Sequence, residues 1–241
     1  VGEESVPADE APAIARINAT MEKFMDKRYG NSTPGAANRA VHPKAHGCAK
    51  GVFKVNASLP AWAKAGIFQE GAQYNAWLRF SNANPVPQAD KEGDSRGFAF
   101  KVLGAHGPRI LEEDQGGHTQ DFSFNSFPVF FAKDAGSYVD FFEAILTKGS
   151  FTSYMFPSLD PRSWRLKELN IFRQIGSVPA SSPLNISYHS MTPFRHGPSQ
   201  SVAVKYNIAP CAGVRKVKYD KKEFSYLRKA LISELAAGDS C

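Results

Sequence analysis

Between Asp9 and Tyr29 the apolar residues Ile14, Ile17, Met21, Phe24 and Met25 recur at helical spacing. Acidic residues sit in the first turn and Lys27 and Arg28 in the last, so an amphipathic helix is expected there. The run NSTPG at 31–35 breaks it, and the pattern then turns strand-like. Gly51 to Val55, Tyr74 to Asn82, Gly97 to Leu103, Thr119 to Asn125 and Ser201 to Ile208 are short and bounded by Gly, Pro, Asn or Asp, and each is read as a strand. Among them Tyr138, Phe141, Phe142, Ile145 and Leu146 form an i, i+3, i+4, i+7, i+8 stripe that predicts a second helix. Asp160-Pro161 reads as the cap and first position of another. Phe224, Leu227, Leu231 and Leu235 mark a last helix, and the chain contains no internal repeat.

Helices mixed with antiparallel-type strands place the chain in the α+β class, and its length suits one domain with a buried core. The 42% hydrophobic and 22% charged residues, with 18 phenylalanines, describe a globular, aromatic-rich interior rather than a disordered chain. The net charge of +6 raises the question of a polyanionic partner. Lys and Arg are scattered, however. The densest run, Arg215 to Lys222, reads as a solvated loop before a helix, and no nucleic-acid motif accompanies it. No apolar run reaches the roughly 20 residues of a membrane span, so a soluble domain is expected. Cys48, Cys211 and Cys241 have neither zinc-site spacing nor an even count, and are expected as buried thiols outside any disulfide framework. The opening VGEESVPADE lacks Met and is neither an Arg-rich presequence nor an apolar signal, compatible with a presequence already removed, as in an organelle. The compartment stays unassigned. The end at Cys241, directly after a helix-stop signal, gives the expectation of a C-terminally incomplete domain.

The period-two rule puts Trp77, Arg79 and Ser81 on one face of YNAWLRFSN and Tyr74, Ala76, Leu78 and Phe80 on the other. In TQDFSFN it separates Thr119, Asp121, Ser123 and Asn125 from Phe122 and Phe124, so Asn125 ends a polar face beside the apolar run PVFF. Upstream, RAVHPKAHG gathers Arg39, Val41, His42, Lys44 and His46.

Together these segments resemble the haem-catalase family, in order as well as in kind. Arg39-Ala40-Val41-His42-Pro43-Lys44-Ala45 is similar to the family's distal-histidine segment. Leu78-Arg79-Phe80-Ser81 is similar to its Val-Arg-Phe-Ser strand, and Asp94-Ser95-Arg96-Gly97-Phe98-Ala99-Phe100-Lys101 to its Asp-Pro-Arg-Gly strand. Asn125 to Asp134 resembles its Asn-Asn-Thr-Pro-Ile-Phe-Phe run. The wording HPKAHGCAKGVFKV is nearer the smaller catalase-related proteins, a branch that holds peroxidases and allene-oxide-synthase-like domains. Val41 stands where the latter often carry Thr, which favours the catalase or peroxidase reading.

The resemblance implies a catalase-like antiparallel β-barrel with surrounding helices, a single domain over 1–241 with an N-terminal helix at about 9–29 and a barrel core at about 39–210. It implies haem b as cofactor and a small peroxide as substrate. His42 would relay the proton, Ser81 would fix its ring, and Asn125 would orient the peroxide. Val41, Phe130, Phe131 and Tyr138 would wall the pocket, and Arg39 and Arg79 would pair the haem propionates. The family's proximal iron ligand is a Tyr in an Arg-x-x-x-Tyr pattern on a downstream helix. Arg215 to Tyr219 has that spacing but lies in the basic loop, so no proximal or other metal ligand is identified. Two readings stay open: a haem catalase or peroxidase completed by a C-terminal segment or second polypeptide, and a haem-less catalase-fold accessory subunit of a larger assembly.

Overall fold

The computed structural model describes residues 5–31, 35, 37–109, 114–197, 202–211 and 219–238. Helix α1, Glu10–Tyr29, follows the predicted amphipathic stripe and buries Ala13 and Ile17. The strands β1 (Lys44–Lys54), β2 (Gln73–Asn82), β3 (Arg96–Leu103), β4 (Thr119–Asn125), β5 (Tyr188–His189) and β8 (Asn207–Ile208) form one six-stranded antiparallel sheet in the order β1-β2-β3-β4-β5-β8. It curls into a half-barrel, with β1 and β8 as its edges among the described residues. A separate hairpin pairs β6 (Phe194–His196) with β7 (Val202–Val204). The strand expected over 201–208 is therefore two short pieces, and Ser201 lies outside the described residues.

Alternation in β2 and β3 turns Ala76, Phe80, Phe98 and Val102 inward, where they are nearly inaccessible. The inner face is an aromatic ladder: Phe80 stacks on Phe98 at 4.7 Å, and Phe100 on Phe122 at 4.7 Å. Leu231 of helix α5 (Tyr226–Ala236) packs into the same cluster beside Phe124, Ile186 and Tyr188.

Strand β1 starts seven residues earlier than its hydrophobic pattern suggests. A bulge between Ala45 and Gly47 interrupts the alternation, and buried Lys44 and His46 replace the apolar residues that would have signalled a strand. Both are paired. Lys44 Nζ lies 2.6 Å from Asp90 Oδ1, His46 Nε2 donates to Asn82 Oδ1 at 2.7 Å, and Asn82 Nδ2 donates to Asp90 Oδ1 at 3.1 Å. The other Asp90 oxygen accepts the backbone N–H of Leu227 at 2.9 Å, which ties the first turn of α5 to the sheet. At the far end Ser182 and Asn185 donate to the buried Glu234 carboxylate.

The chain leaves the sheet after β4 and builds helices before returning at β5. Asp134 and Ser137 form a reciprocal capping box that starts α2 (Ala135–Phe142), and a π-helical turn at Glu143–Thr147 continues it. Helix α3 (Phe151–Met155) and helix α4 (Leu166–Gly176) follow. The helix expected at Asp160-Pro161 is one 3₁₀ turn, Pro161–Ser163, in which Asp160 caps the N–H of Arg162. Val139, Phe142 and Leu146 pack against Ala13 and Ile17, so α1 lies over α2. Among the described residues no helix is long and apolar enough to cross a membrane. Cys48 is free but exposed and Cys211 is disulfide-bonded, which corrects the expectation of buried thiols; Cys241 lies outside the described residues.

Candidate functional site

The β2–β3–β4 register aligns Ser81 with Gly97 and Gly97 with Asn125, so these three form one row across the end of the sheet. The chain entering β1 crosses this row at His42. His42 is the one residue other than glycine with positive φ among those described, at 55°. A left-handed conformation persists at such a residue only where its surroundings hold it. Here the His42 N–H donates to Ala83 O at 3.2 Å, and its carbonyl accepts from Arg79 Nη2 at 2.7 Å. The ring is fixed by a 3.0 Å hydrogen bond between Nδ1 and Ser81 Oγ, which leaves Nε2 as the nitrogen available for proton exchange.

Close approach to the sheet requires Gly97. A Cβ there would lie 2.5 Å from both Cε1 and Nδ1 of His42 and 2.9 Å from Ser81 Oγ. Burial, then the charges of Arg79 and Arg39, hold the His42 pKa down from 6.5 to about 4. The imidazole is neutral at pH 7 and can accept a proton.

His42 and Asn125 border a common cavity of about 450 Å³. Val41, Phe130, Phe131 and Tyr138 border it too, with Phe130, Phe131 and Tyr138 in mutual ring contact at 4.9–5.7 Å. Burial pushes the Tyr138 hydroxyl up to about 12. Asn125 Oδ1 is buried there without a hydrogen-bond partner. A buried amide oxygen left without a partner beside a cavity is a group arranged for something other than folding. The cavity thus brings together six of the residues singled out from the sequence, with Ser81 behind His42.

Arg39 and Arg79 do not border this cavity. Arg79 is partly buried against the His42 carbonyl, Arg39 is exposed, and neither has a carboxylate within ion-pair distance among the described residues. Burial first and Arg39 next lower the Arg79 pKa, so the two like charges lie close to one another. Tyr219 stacks on Tyr226 at 4.7 Å and borders a different cavity, away from His42; Arg215 lies outside the described residues. Among the described residues no cluster of three or more His, Cys, Asp or Glu could hold a metal ion.

The sequence reading missed several members of the site. Phe141, Phe142 and Leu146 were visible only as a helical stripe, and Phe172 belongs to α4, whose N-cap Arg165 provides no side-chain capping signal. Asp94, quoted only as part of a motif, borders the cavity, and burial raises its carboxyl from 3.8 to about 6. Gly97 could be found only through the three-strand register.

A family model described as catalase matches residues 22–156. The chain is 27% identical over 216 residues to a catalase of Latilactobacillus sakei, with 83% of this chain and 42% of that protein covered. It is 26% identical over 226 residues to catalase HPII of Pseudomonas aeruginosa, covering 83% of this chain and 29% of the other. Among solved structures, catalase A from Saccharomyces cerevisiae superposes with a TM-score of 0.61 at 17% identity, over 99% of this chain and 47% of that one. A fungal catalase gives a TM-score of 0.60 at 16% identity, over 99% and 46%. The chain spans less than half the length of each of these proteins.

Proposed function

Since the chain belongs to the catalase family, we propose that it forms the distal, peroxide-handling side of a haem-dependent hydroperoxide-processing site of the catalase or peroxidase type. The observation that carries this reading is His42, held in a left-handed conformation over Gly97 with Nδ1 on Ser81, bordering one cavity with Asn125, whose buried Oδ1 has no partner.

These residues fit the distal face of a haem b. The unsatisfied Asn125 amide and the two arginines without carboxylate partners are the groups such a cofactor and its peroxide would use. Arg39 and Arg79 would hold the propionates through charge-assisted hydrogen bonds, and Val41 would lie against the ring. When bound, haem supplies the redox chemistry, taking the oxidising equivalents of the peroxide. The chain's own part is proton handling and selection. Neutral His42 accepts the peroxide proton at Nε2 and returns it to the departing oxygen, while Ser81 keeps the ring from rotating. Asn125 orients the peroxide by a hydrogen bond, and Phe130, Phe131 and Tyr138 exclude water and bulky hydroperoxides.

The proximal ligand is the open part of this reading, because Tyr219 borders another cavity. A second reading makes the chain a haem-less catalase-fold accessory component. Under either reading the edge strands β1 and β8 are where a further polypeptide segment would complete the sheet. An absorption spectrum of the full-length protein tests the choice. A Soret band at about 400 nm with peroxide consumption supports the haem reading, and its absence from freshly isolated protein selects the accessory one.

A further inference from the structure

Arg96 opens β3 with only 5% of its surface exposed. Its Nη2 donates to the carbonyl oxygens of Asp90 at 2.8 Å and Glu92 at 3.0 Å, and its Nε and Nη1 are buried with no partner. No carboxylate of the described residues forms an ion pair with it. The nearby Asp90 carboxylate is already committed to Lys44, Asn82 and the Leu227 N–H. A buried cation with unmade hydrogen bonds is costly, and folds retain one where a further group supplies the missing acceptors.

Arg96 borders a second cavity of about 580 Å³, within the range of small-molecule pockets. On its wall Lys91 pairs with Glu92 at 4.0 Å and Asp90 with Lys44, and Lys221 adds a positive charge that no carboxylate of the described residues pairs. Tyr219 and Tyr226, stacked at 4.7 Å with their planes 18° apart, form an aromatic side, and Ser181 and Asn185 contribute polar groups. Guanidinium N–H groups without an internal acceptor, a neighbouring ammonium and an adjoining cavity together describe a receptor for negative charge on oxygen.

We propose that this cavity binds a small oxyanion, a carboxylate or phosphate group, held by the Arg96 guanidinium with Lys221 as the second cation. This cavity meets the His42 cavity at Gly176, His42 itself does not border it, and the proposal does not depend on haem.

The test is titration of the full-length protein with inorganic phosphate, followed by ³¹P line broadening, and with acetate, followed by calorimetry, at ionic strength fixed with chloride. Saturable one-site binding of either anion is expected, weakened about tenfold in Lys221→Ala and lost in Arg96→Gln. Phosphate and acetate arms show which oxyanion the site prefers. Should Arg96→Gln fail to fold by circular dichroism, Lys221→Ala and Tyr219→Ala at the cavity wall carry the comparison. Binding no stronger than that of chloride, or unchanged in Lys221→Ala, overturns the proposal. So does a crystal soaked in phosphate that shows only ordered water beside Arg96.

Discussion

Gly97 and His42 are in such close apposition that the ring of the histidine occupies the space a side chain on the glycine would need, 2.5 Å from a Cβ built there. Backbone atoms of a central strand cannot retreat, so any larger residue must move the imidazole. Gly97→Ala is expected to break the His42–Ser81 hydrogen bond and to destabilise the fold by about 1–3 kcal/mol through overpacking. Denaturant unfolding of the variant gives the stability. The His42 ring signals in NMR report whether the imidazole has moved, and unchanged signals would contradict the apposition.

Two groups on the same cavity have their pKa values moved in opposite directions. His42 has its folded pKa lowered from 6.5 to about 4, so its neutral form is favoured, and stability is lost as pH falls from 6.5 towards 4. Asp94 has its folded pKa raised from 3.8 to about 6, so its protonated form is favoured, and stability is gained as pH falls from 6 towards 3.8. Each effect is about 3 kcal/mol at its limit, and together they nearly cancel. Asp94→Asn should therefore make the protein acid-sensitive between pH 6 and 4, while His42→Gln should make it more stable there than at pH 7. Urea midpoints measured at pH 4.5 and 7 decide this, and parallel shifts in both variants would contradict it.

Asp90 joins β1 to α5 through Lys44 and the Leu227 N–H while fully inaccessible to solvent. Asp90→Ala leaves the Lys44 ammonium buried without its counterion, and a loss of about 3–5 kcal/mol is expected. Guanidinium unfolding gives the magnitude, and hydrogen exchange should show the first turn of α5 opening before the sheet. A change under 1 kcal/mol would mean that Lys44 is satisfied by the carbonyls of Gln88 and Phe224 alone.

The elements that were legible before folding are those in which one local rule dominates. Tyr74 to Asn82 alternates cleanly and is found within one residue as β2, and the Ala13–Ile17–Met21–Phe24 face of α1 follows the helical repeat. The start of β1 was hidden because Lys44 and His46 are buried by partners at Asp90 and Asn82, many residues away, which no local pattern encodes. The site divides the same way. His42, Ser81 and Asn125 were reached through motif likeness, whereas the left-handed His42 backbone and the role of Gly97 exist only once three strands are in register.

Asn125 separates stability from function. Its buried Oδ1 lacks a partner, so Asn125→Ala should alter stability by less than about 1 kcal/mol, since no internal bond at that oxygen is lost. Peroxide turnover should fall about 5- to 100-fold through loss of one orienting hydrogen bond. Thermal unfolding and oxygen release on the same preparation give both values, and a large stability loss with unchanged turnover would reverse the assignment.

The most direct test of the distal-site account is oxygen release per bound haem in full-length wild type and His42→Ala. Haem occupancy should be retained, because Arg39 and Arg79 are independent of the imidazole ring, while peroxide turnover falls about 10²- to 10⁴-fold. Equal turnover in the two proteins at equal haem content would contradict the account.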